Sequence, residues 1–188
     1  MQICKSKSLL PFIIAFSLGY SSLVFSKELI MLDDFSPSPK VDWNFVADSV
    51  MGGISTGDVA LEDDGTQIYA KMTGNVSTEN NGGFVRLAHS PKNVDKEVKG
   101  IRFMAKGNNE IYEVHVTMQG LRMPPWAYHS STFDVNAEWR MFEINFSDFE
   151  KKSGISSKLR PNNIRDISFA GYGRDFDVDL QVKEISFY

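Results

Sequence analysis

Apolar and polar residues alternate in short segments along most of this 188-residue chain. In segment 112–119, the clearest case, every second residue is apolar. A repeat of two residues is typical of a β-strand that turns one face to the core. We predict about ten short strands from such segments. The segments are 29–35, 41–47, 58–62, 67–73, 84–89, 101–106, 112–119, 128–135, 139–146, 163–170 and 176–187.

Helices have little room in this pattern. Residues 147–158 form the segment in which we expect a helix, and Gly154 within it makes that helix short. Parallel strands need crossover connections of a dozen or more residues, which this pattern does not offer. The pattern therefore predicts an all-β fold, a β-sandwich or jelly roll with one short helix at most, in a single domain.

Residues 1–26 have the features of a secretory signal peptide. Two lysines precede an apolar segment, 9–25, and small residues allow cleavage after Ser26. We therefore expect an exported protein, periplasmic or extracellular, whose mature domain spans 27–188. The alternative is an uncleaved leader that anchors the domain to the inner membrane through residues 9–25. The one cysteine, Cys4, lies in the leader, so we expect no disulfide in the mature domain.

Charge and titratable residues argue against several function classes. The formal net charge is −4, without the basic excess of a nucleic-acid-binding protein. His89, His115 and His129 lack zinc-ligand spacing, and we expect His115, on the polar face of its segment, to be exposed. Three alternating aspartates in 175–179 diverge along a strand instead of converging on calcium. We predict no metal, no cofactor and no catalytic residue; a hydrolase with a carboxylate pair that includes Asp48 is the enzymatic alternative.

Two short segments place adjacent glycines beside polar side chains. Glycine pairs occur where the backbone needs a positive φ or a close approach to another group. Two such turns in one small domain suggest that two loops meet. The candidate binding residues in these turns are Asp48, Met51, Gly52, Gly53, Ser55, Asn80, Asn81, Gly82 and Gly83.

These turns have two interpretations. In one, Asp48, Ser55, Asn80 and Asn81 project into a shared pocket that binds a ligand or a partner. In the other, the turns pack against each other, and the Asp and Asn side chains bond to backbone amides nearby. In both interpretations we expect Met51 to lie in the core.

The loop 119–128 contains a second set of candidates. Arg122 offers a planar group of donors, and Trp126 and Tyr128 offer flat aromatic faces. Aromatic platforms with a few polar groups suit the recognition of a sugar or a peptide. The alternative is that the apolar residues of this loop, Trp126 included, cap one end of the sandwich.

The glycine segments 48–55 and 74–84 together resemble the complex I intermediate-associated protein 30 family. Further agreement comes from residues 100–103, Tyr112 and 138–149. The resemblance covers nearly the whole mature chain. It implies a galactose-binding-like jelly roll, related to carbohydrate-binding modules, with no established catalytic residues.

The mitochondrial members of that family are assembly factors for respiratory complex I and act in the matrix, whereas we predict that this chain is exported. The resemblance therefore implies a non-catalytic, exported binding module that assists the assembly or stability of a protein complex in the cell envelope. The alternative is a carbohydrate-binding module that uses the loop around Trp126 and Tyr128. We expect a protein partner or a glycan, no nucleic acid, and membrane contact only through an uncleaved leader.

Overall fold

The structure is a computed structural model that describes residues 29–37, 40–119, 127–155 and 157–188. The predicted signal peptide lies outside these ranges. Within them the chain forms twelve β-strands and no α-helix, which confirms the all-β prediction. None of the described residues forms a helix with the length and apolar character that a membrane crossing requires. In chain order the strands are β1 (Ile30–Asp33), β2 (Asn44–Ala47), β3 (Thr56–Asp63), β4 (Ile68–Val76), β5 (Phe84–His89), β6 (Gly100–Gly107), β7 (Ile111–Met118), β8 (His129–Asp134), β9 (Arg140–Asn145), β10 (Glu150–Lys151), β11 (Ile164–Tyr172) and β12 (Phe176–Phe187).

The strands form two antiparallel sheets that pack face to face as a sandwich. The order in the first sheet is β3-β4-β12-β6-β9, and β1 pairs with the end of β12. The order in the second sheet is β10-β8-β7-β11-β5-β2. Strands that are neighbours in a sheet are often distant in the sequence, so the arrangement depends on pairings that local pattern does not encode. The predicted β-sandwich is confirmed.

The core between the sheets is rich in aromatic rings. In β7, Tyr112 and Val114 face the first sheet and are fully buried, as the alternation predicts. Phe103 of the first sheet meets two rings of the second edge to face, with centroid distances of 5.0 Å to Phe133 and 4.8 Å to Phe169. Such pairs contribute about 0.5–1.5 kcal/mol each beyond the burial of apolar area.

Two of the connections that cross from one sheet to the other lie side by side, and we call them the two crossings. β2 and β5 pair in the second sheet so that Ala47 lies opposite Val85. β3 and β4 pair in the first sheet so that Thr56 lies opposite Asn75. The two crossings, 48–55 and 77–83, therefore run side by side, and each contains one of the diglycine turns.

The predicted helix over 147–158 is wrong. A short 3₁₀ turn at Phe146–Asp148 leads into β10, which pairs with β8. Phe146 and Phe149 are both buried, and their spacing of three residues is compatible with a helix as well as with this turn. Ser153 and Gly154 then take positive φ values of 56° and 80°, which a helix does not allow.

Candidate functional site

A buried carboxylate joins the two crossings. Asp48 lies in the 3₁₀ turn after β2 and is fully buried. Its Oδ1 accepts a hydrogen bond from the Ser55 amide at 2.9 Å, and its Oδ2 accepts bonds from the Gly83 amide at 2.5 Å and the Phe84 amide at 3.1 Å. The Ser55 hydroxyl donates a further bond to Oδ2 at 2.5 Å. We call these four residues the Asp48 cluster; one carboxylate in it satisfies backbone groups of both crossings.

The hydrogen bonds of the Asp48 cluster set the charge of its carboxylate. Burial raises the pKa of Asp48, but the bonds donated by Gly83, Ser55 and Phe84 favour the charged form and outweigh burial. The pKa therefore lies below its ordinary value, and the side chain is charged at neutral pH. The Ser55 hydroxyl also accepts a bond from the Ser77 amide at 3.0 Å, which extends the network along the second crossing.

The glycines permit this close approach. A Cβ atom on Gly82 would lie 2.5 Å from Oδ2 of Asp48 and 3.0 Å from the Cα of Gly53, and one on Gly53 would overlap the Asp48 carboxylate. Gly52 and Gly83 instead have positive φ values of 91° and 125°, a conformation that favours glycine. Gly53 and Gly82 are therefore required because a side chain would not fit, and Gly52 and Gly83 because of their backbone conformation.

The structure separates the diglycine residues into two groups. Asp48 and Ser55 bond to the backbone and to each other, as the packing interpretation predicts. Asn80 and Asn81 both have left-handed φ values, of 57° and 58°; Asn80 is exposed and Asn81 lines a neighbouring cavity. The expectation that Met51 lies in the core is wrong. Its side chain is 59% exposed because Asp48 takes the buried position of this single turn.

A cavity of about 410 Å³ lies beside the crossings, on the face of the second sheet that points away from the core. We call it the cleft. The sheet and its edge contribute the side chains of Phe84, Arg86, His115, Thr117, Tyr128 and Tyr172. The loops contribute Val50, Met51, Asn81, Gly82 and Ser153.

Small residues at the centre of the second sheet make room for the longer side chains of the cleft. β11 lies between β5 and β7, and its residues Ser168 and Ala170 point away from the core. Ala170 pairs with Arg86 of β5, and Ser168 pairs with His115 of β7. Because cross-strand neighbours share one face of a sheet, Arg86 and His115 have space above these small residues.

Three rings cluster in the wall of the cleft. His115 stacks on Tyr128 with a centroid distance of 4.2 Å and an interplanar angle of 28°. Tyr172 meets both rings nearly edge-on, at 5.1 Å from His115 and 5.8 Å from Tyr128. Burial and a hydrogen bond with Tyr172 raise the pKa of the Tyr128 hydroxyl, so it stays neutral in the physiological range. The wall therefore offers flat apolar faces together with hydroxyl groups.

The expectation that His115 is exposed is wrong. Its side chain is only 5% exposed because the two tyrosine rings cover it, and its Nε2 lies 2.7 Å from Oε2 of Glu113. Burial lowers the pKa of His115 more than the Glu113 carboxylate raises it. The ring is therefore neutral at pH 7 and donates Nε2–H to that carboxylate.

The cleft combines residues that the sequence pattern predicts with others that it does not single out. The predicted site residues that line the cleft are Met51, Asn81, Gly82 and Tyr128. Arg122 and Trp126 lie outside the described residues. For Arg86, His115 and Tyr172 the sequence gives one indication. Each lies at a position of its strand whose side chain points away from the core. These three side chains meet because the strand order is β5-β11-β7, and the alternation of apolar and polar residues does not predict that order.

Two further observations concern the surroundings. A larger groove, of about 640 Å³, lies between β1 and residues 89–98 and contains none of the predicted site residues. In the parts of the chain that the structure describes, no group of three or more His, Cys, Asp or Glu side chains is arranged to hold a metal ion. The candidate site is therefore the cleft.

The sandwich has the galactose-binding-like fold of carbohydrate-binding modules. It is similar to the family 11 carbohydrate-binding module of the cellulosomal cellulase Lic26A-Cel5E of Clostridium thermocellum, with a TM-score of 0.72 and 18% sequence identity over 86% of this chain and 95% of that one. A second structure, a family 11 module from Clostridium thermocellum in complex with a β-1,3-1,4-mixed-linked tetrasaccharide, gives a TM-score of 0.70 at 18% identity over 85% and 94%. A family 30 carbohydrate-binding module gives 0.60 at 13% identity over 86% and 99%. At these identities the likeness establishes the fold.

The sequence itself defines the family. The profile of complex I intermediate-associated protein 30 matches residues 34–182. The chain belongs to this family, which confirms the resemblance based on the glycine segments. Comparison with curated protein sequences gives no match.

Proposed function

We propose that this protein is a non-catalytic binding module whose cleft takes a carbohydrate. The observation that supports this proposal is the composition of the cleft wall, where the rings of Tyr128, Tyr172 and His115 adjoin the hydroxyl groups of Thr117 and Ser153. Sugar rings present C–H faces that pack on aromatic rings, and hydroxyl groups that need donors and acceptors. The cleft volume of about 410 Å³ is of the size that small ligands occupy.

The structural comparisons support the same class of ligand. The family 11 module described above is in complex with a tetrasaccharide. The shared fold supports a sugar ligand for this chain, and the aromatic cleft is the surface that we propose for it. The oligosaccharide of that complex is therefore a suitable first probe, with calorimetry as the measurement.

The tyrosine rings provide the direct test. We expect Tyr128→Ala and Tyr172→Ala each to weaken oligosaccharide binding about tenfold or more, because each removes a ring on which a sugar packs. Tyr128→Phe keeps the ring and should retain most of the affinity. Trp139→Ala, which removes an aromatic ring that contacts Tyr69 on the first sheet, is the matched control and should leave binding unchanged. Equal losses in the cleft variants and the control would count against the proposal, as would a panel in which no oligosaccharide binds.

A protein partner is the second candidate. The loop beside the cleft exposes Val50, Met51 and Ile54 by 73%, 59% and 47%, and adjacent exposed apolar side chains are typical of protein contacts. The family description points the same way, toward assembly of a multi-protein complex. A role in the cell envelope requires that the protein is exported. Residues 1–26 predict export, and cell fractionation can test it.

The exposed loop can be tested against a matched apolar site elsewhere. If a protein docks there, Val50→Ser with Met51→Ser should abolish recovery of a specific partner by crosslinking in an envelope fraction. Leu61→Ser on β3, where the side chain is 45% exposed, should have no effect. The same set of crosslinked proteins from wild type and both variants would exclude this loop as the docking surface.

A further inference from the structure

The cleft contains a cation that forms no ion pair with the described residues. Arg86 extends from the outward face of β5, and its Nε atom is buried with no hydrogen-bond partner among the described residues. Its guanidinium carbon lies 5.4 Å from the centroid of the Phe84 ring, which supports one side of the group. A guanidinium carries five donors in a planar arrangement, and Arg86 is among the residues that line the cleft.

The acidic residues around Arg86 are engaged elsewhere. Asp166, whose charge acts on Arg86 through space, accepts hydrogen bonds from Thr117 and Arg165 at 2.8 Å each. Glu113 is paired with the neighbouring histidine. Among the described residues that line the cleft, none is an Asp or a Glu. The described part of the chain therefore provides no carboxylate to pair with Arg86 inside the cleft.

This arrangement is unfavourable for the protein alone. Burial lowers the pKa of Arg86 although the charge of Asp166 raises it, but a guanidinium remains charged at neutral pH. A cation that has lost part of its hydration and gained no carboxylate partner destabilises the fold unless a ligand supplies the opposite charge. The whole chain has a net charge of −4, so attraction of an anion to the cleft has to be local.

We infer that Arg86 forms a subsite for an oxyanion carried by a sugar, either the carboxylate of a uronic acid or a sulfate ester. The inference rests on the proposed function, because it uses the same cleft. A planar guanidinium pairs with a carboxylate or a sulfate through two parallel hydrogen bonds. The rings of Tyr128 and Tyr172 would hold the sugar ring while Arg86 binds its charged substituent. Acidic oligosaccharides therefore bind more tightly than neutral ones of the same linkage.

Matched ligand pairs test this inference. Calorimetric titrations with the wild-type protein should compare an oligogalacturonate with its methyl ester, and a sulfated galacto-oligosaccharide with its desulfated form. We expect about a tenfold or greater preference for the charged member of one pair. A preference in the first pair identifies a carboxylate, and one in the second identifies a sulfate. Arg86→Met should abolish the preference, and Arg86→Lys should keep part of it. Arg102→Met, which removes a charge from β6 of the first sheet, should keep all of it.

The outcomes separate the inference from the proposed function. Equal binding of charged and neutral members in both pairs, or an unchanged preference in Arg86→Met, overturns the inference and leaves carbohydrate binding intact. Absence of binding by every oligosaccharide, charged or neutral, overturns the proposed function as well. Binding of an acidic peptide in place of any sugar overturns both and indicates a protein ligand.

Stability gives a second, independent readout. Because Arg86 is a poorly solvated charge, we expect Arg86→Met to raise the melting temperature of the free protein by about 2–4 °C while it weakens binding of the acidic ligand. A structural role for Arg86 predicts the opposite sign, a lower melting temperature with unchanged ligand preference. That result would overturn the inference.

Discussion

Asp48→Ala should lower the free energy of unfolding by about 3–5 kcal/mol, a large effect for one substitution in a turn. The variant leaves the buried amide of Gly83 and the amides of Ser55 and Phe84 without the carboxylate that accepts their hydrogen bonds. Unsatisfied buried donors are more destabilising than the mean strength of a hydrogen bond suggests. Urea unfolding followed by tryptophan fluorescence measures the change.

The neighbouring Ser49, which is exposed in the same turn, supplies the control. Ser49→Ala should change the free energy of unfolding by less than about 0.5 kcal/mol. Asp48→Asn keeps one acceptor oxygen and should fall between the two. If Asp48→Ala unfolds at the same urea concentration as Ser49→Ala, the Asp48 cluster does not stabilise the crossings as described.

Lowering the pH should also remove the stabilisation that the Asp48 carboxylate provides. The pKa of Asp48 in the folded protein lies below its ordinary value of 3.8, so the unfolded chain binds a proton there first as the pH falls. The stabilisation is therefore fully present above that ordinary value and is lost as the pH drops through the folded value. The free energy of unfolding of the wild type should decline more steeply below about pH 4 than that of Asp48→Asn, whose amide does not titrate.

Gly82→Ala should be the second severe substitution, with a loss of about 2–3 kcal/mol. The backbone of Gly82 has φ −80° and ψ −153°, so its φ is not in the left-handed region that favours glycine. The obstacle is space, since the added Cβ would lie 2.5 Å from Oδ2 of Asp48 and 3.0 Å from the Cα of Gly53. One of the two crossings has to move, and the Asp48 hydrogen bonds are strained with it.

Gly52→Ala separates crowding from conformational strain. Gly52 has a φ of 91°, but a Cβ there meets no atom within 4 Å. The expected loss is about 1 kcal/mol, from the left-handed backbone alone. Both variants can be compared by thermal and urea unfolding. A loss for Gly52→Ala equal to or larger than that for Gly82→Ala would show that the crossings are not closely packed.

Much of the fold is predictable from the sequence because strands are encoded locally. Alternation places β5 at residues 84–89, as observed, and places β7 within one residue at each end. The helix prediction over 147–158 fails because local pattern does not show that Glu150 and Lys151 pair with β8. The positive φ values of Ser153 and Gly154, which decide the matter, are a property of the folded chain.

The candidate site is predictable only in part, for a different reason. The diglycine turns, and an acidic residue beside them, can be identified in the sequence. Contact between the two turns can be proposed from the sequence because both belong to one small domain. Arg86, His115 and Tyr172 lie on three strands whose order in the sheet results from pairings across more than 40 residues. The burial of His115 also depends on that order, since Tyr172 belongs to another strand.

The position of the Asp48 cluster couples separation of the two sheets to the shape of the cleft. The two crossings at 48–55 and 77–83 both bond to the same carboxylate, and Met51 and Gly82 of these crossings line the cleft. Separation of the sheets at this point would therefore require the amides of Ser55 and Gly83 to become accessible together. In hydrogen–deuterium exchange these two amides should report a single opening event, and a bound ligand should slow both by the same factor.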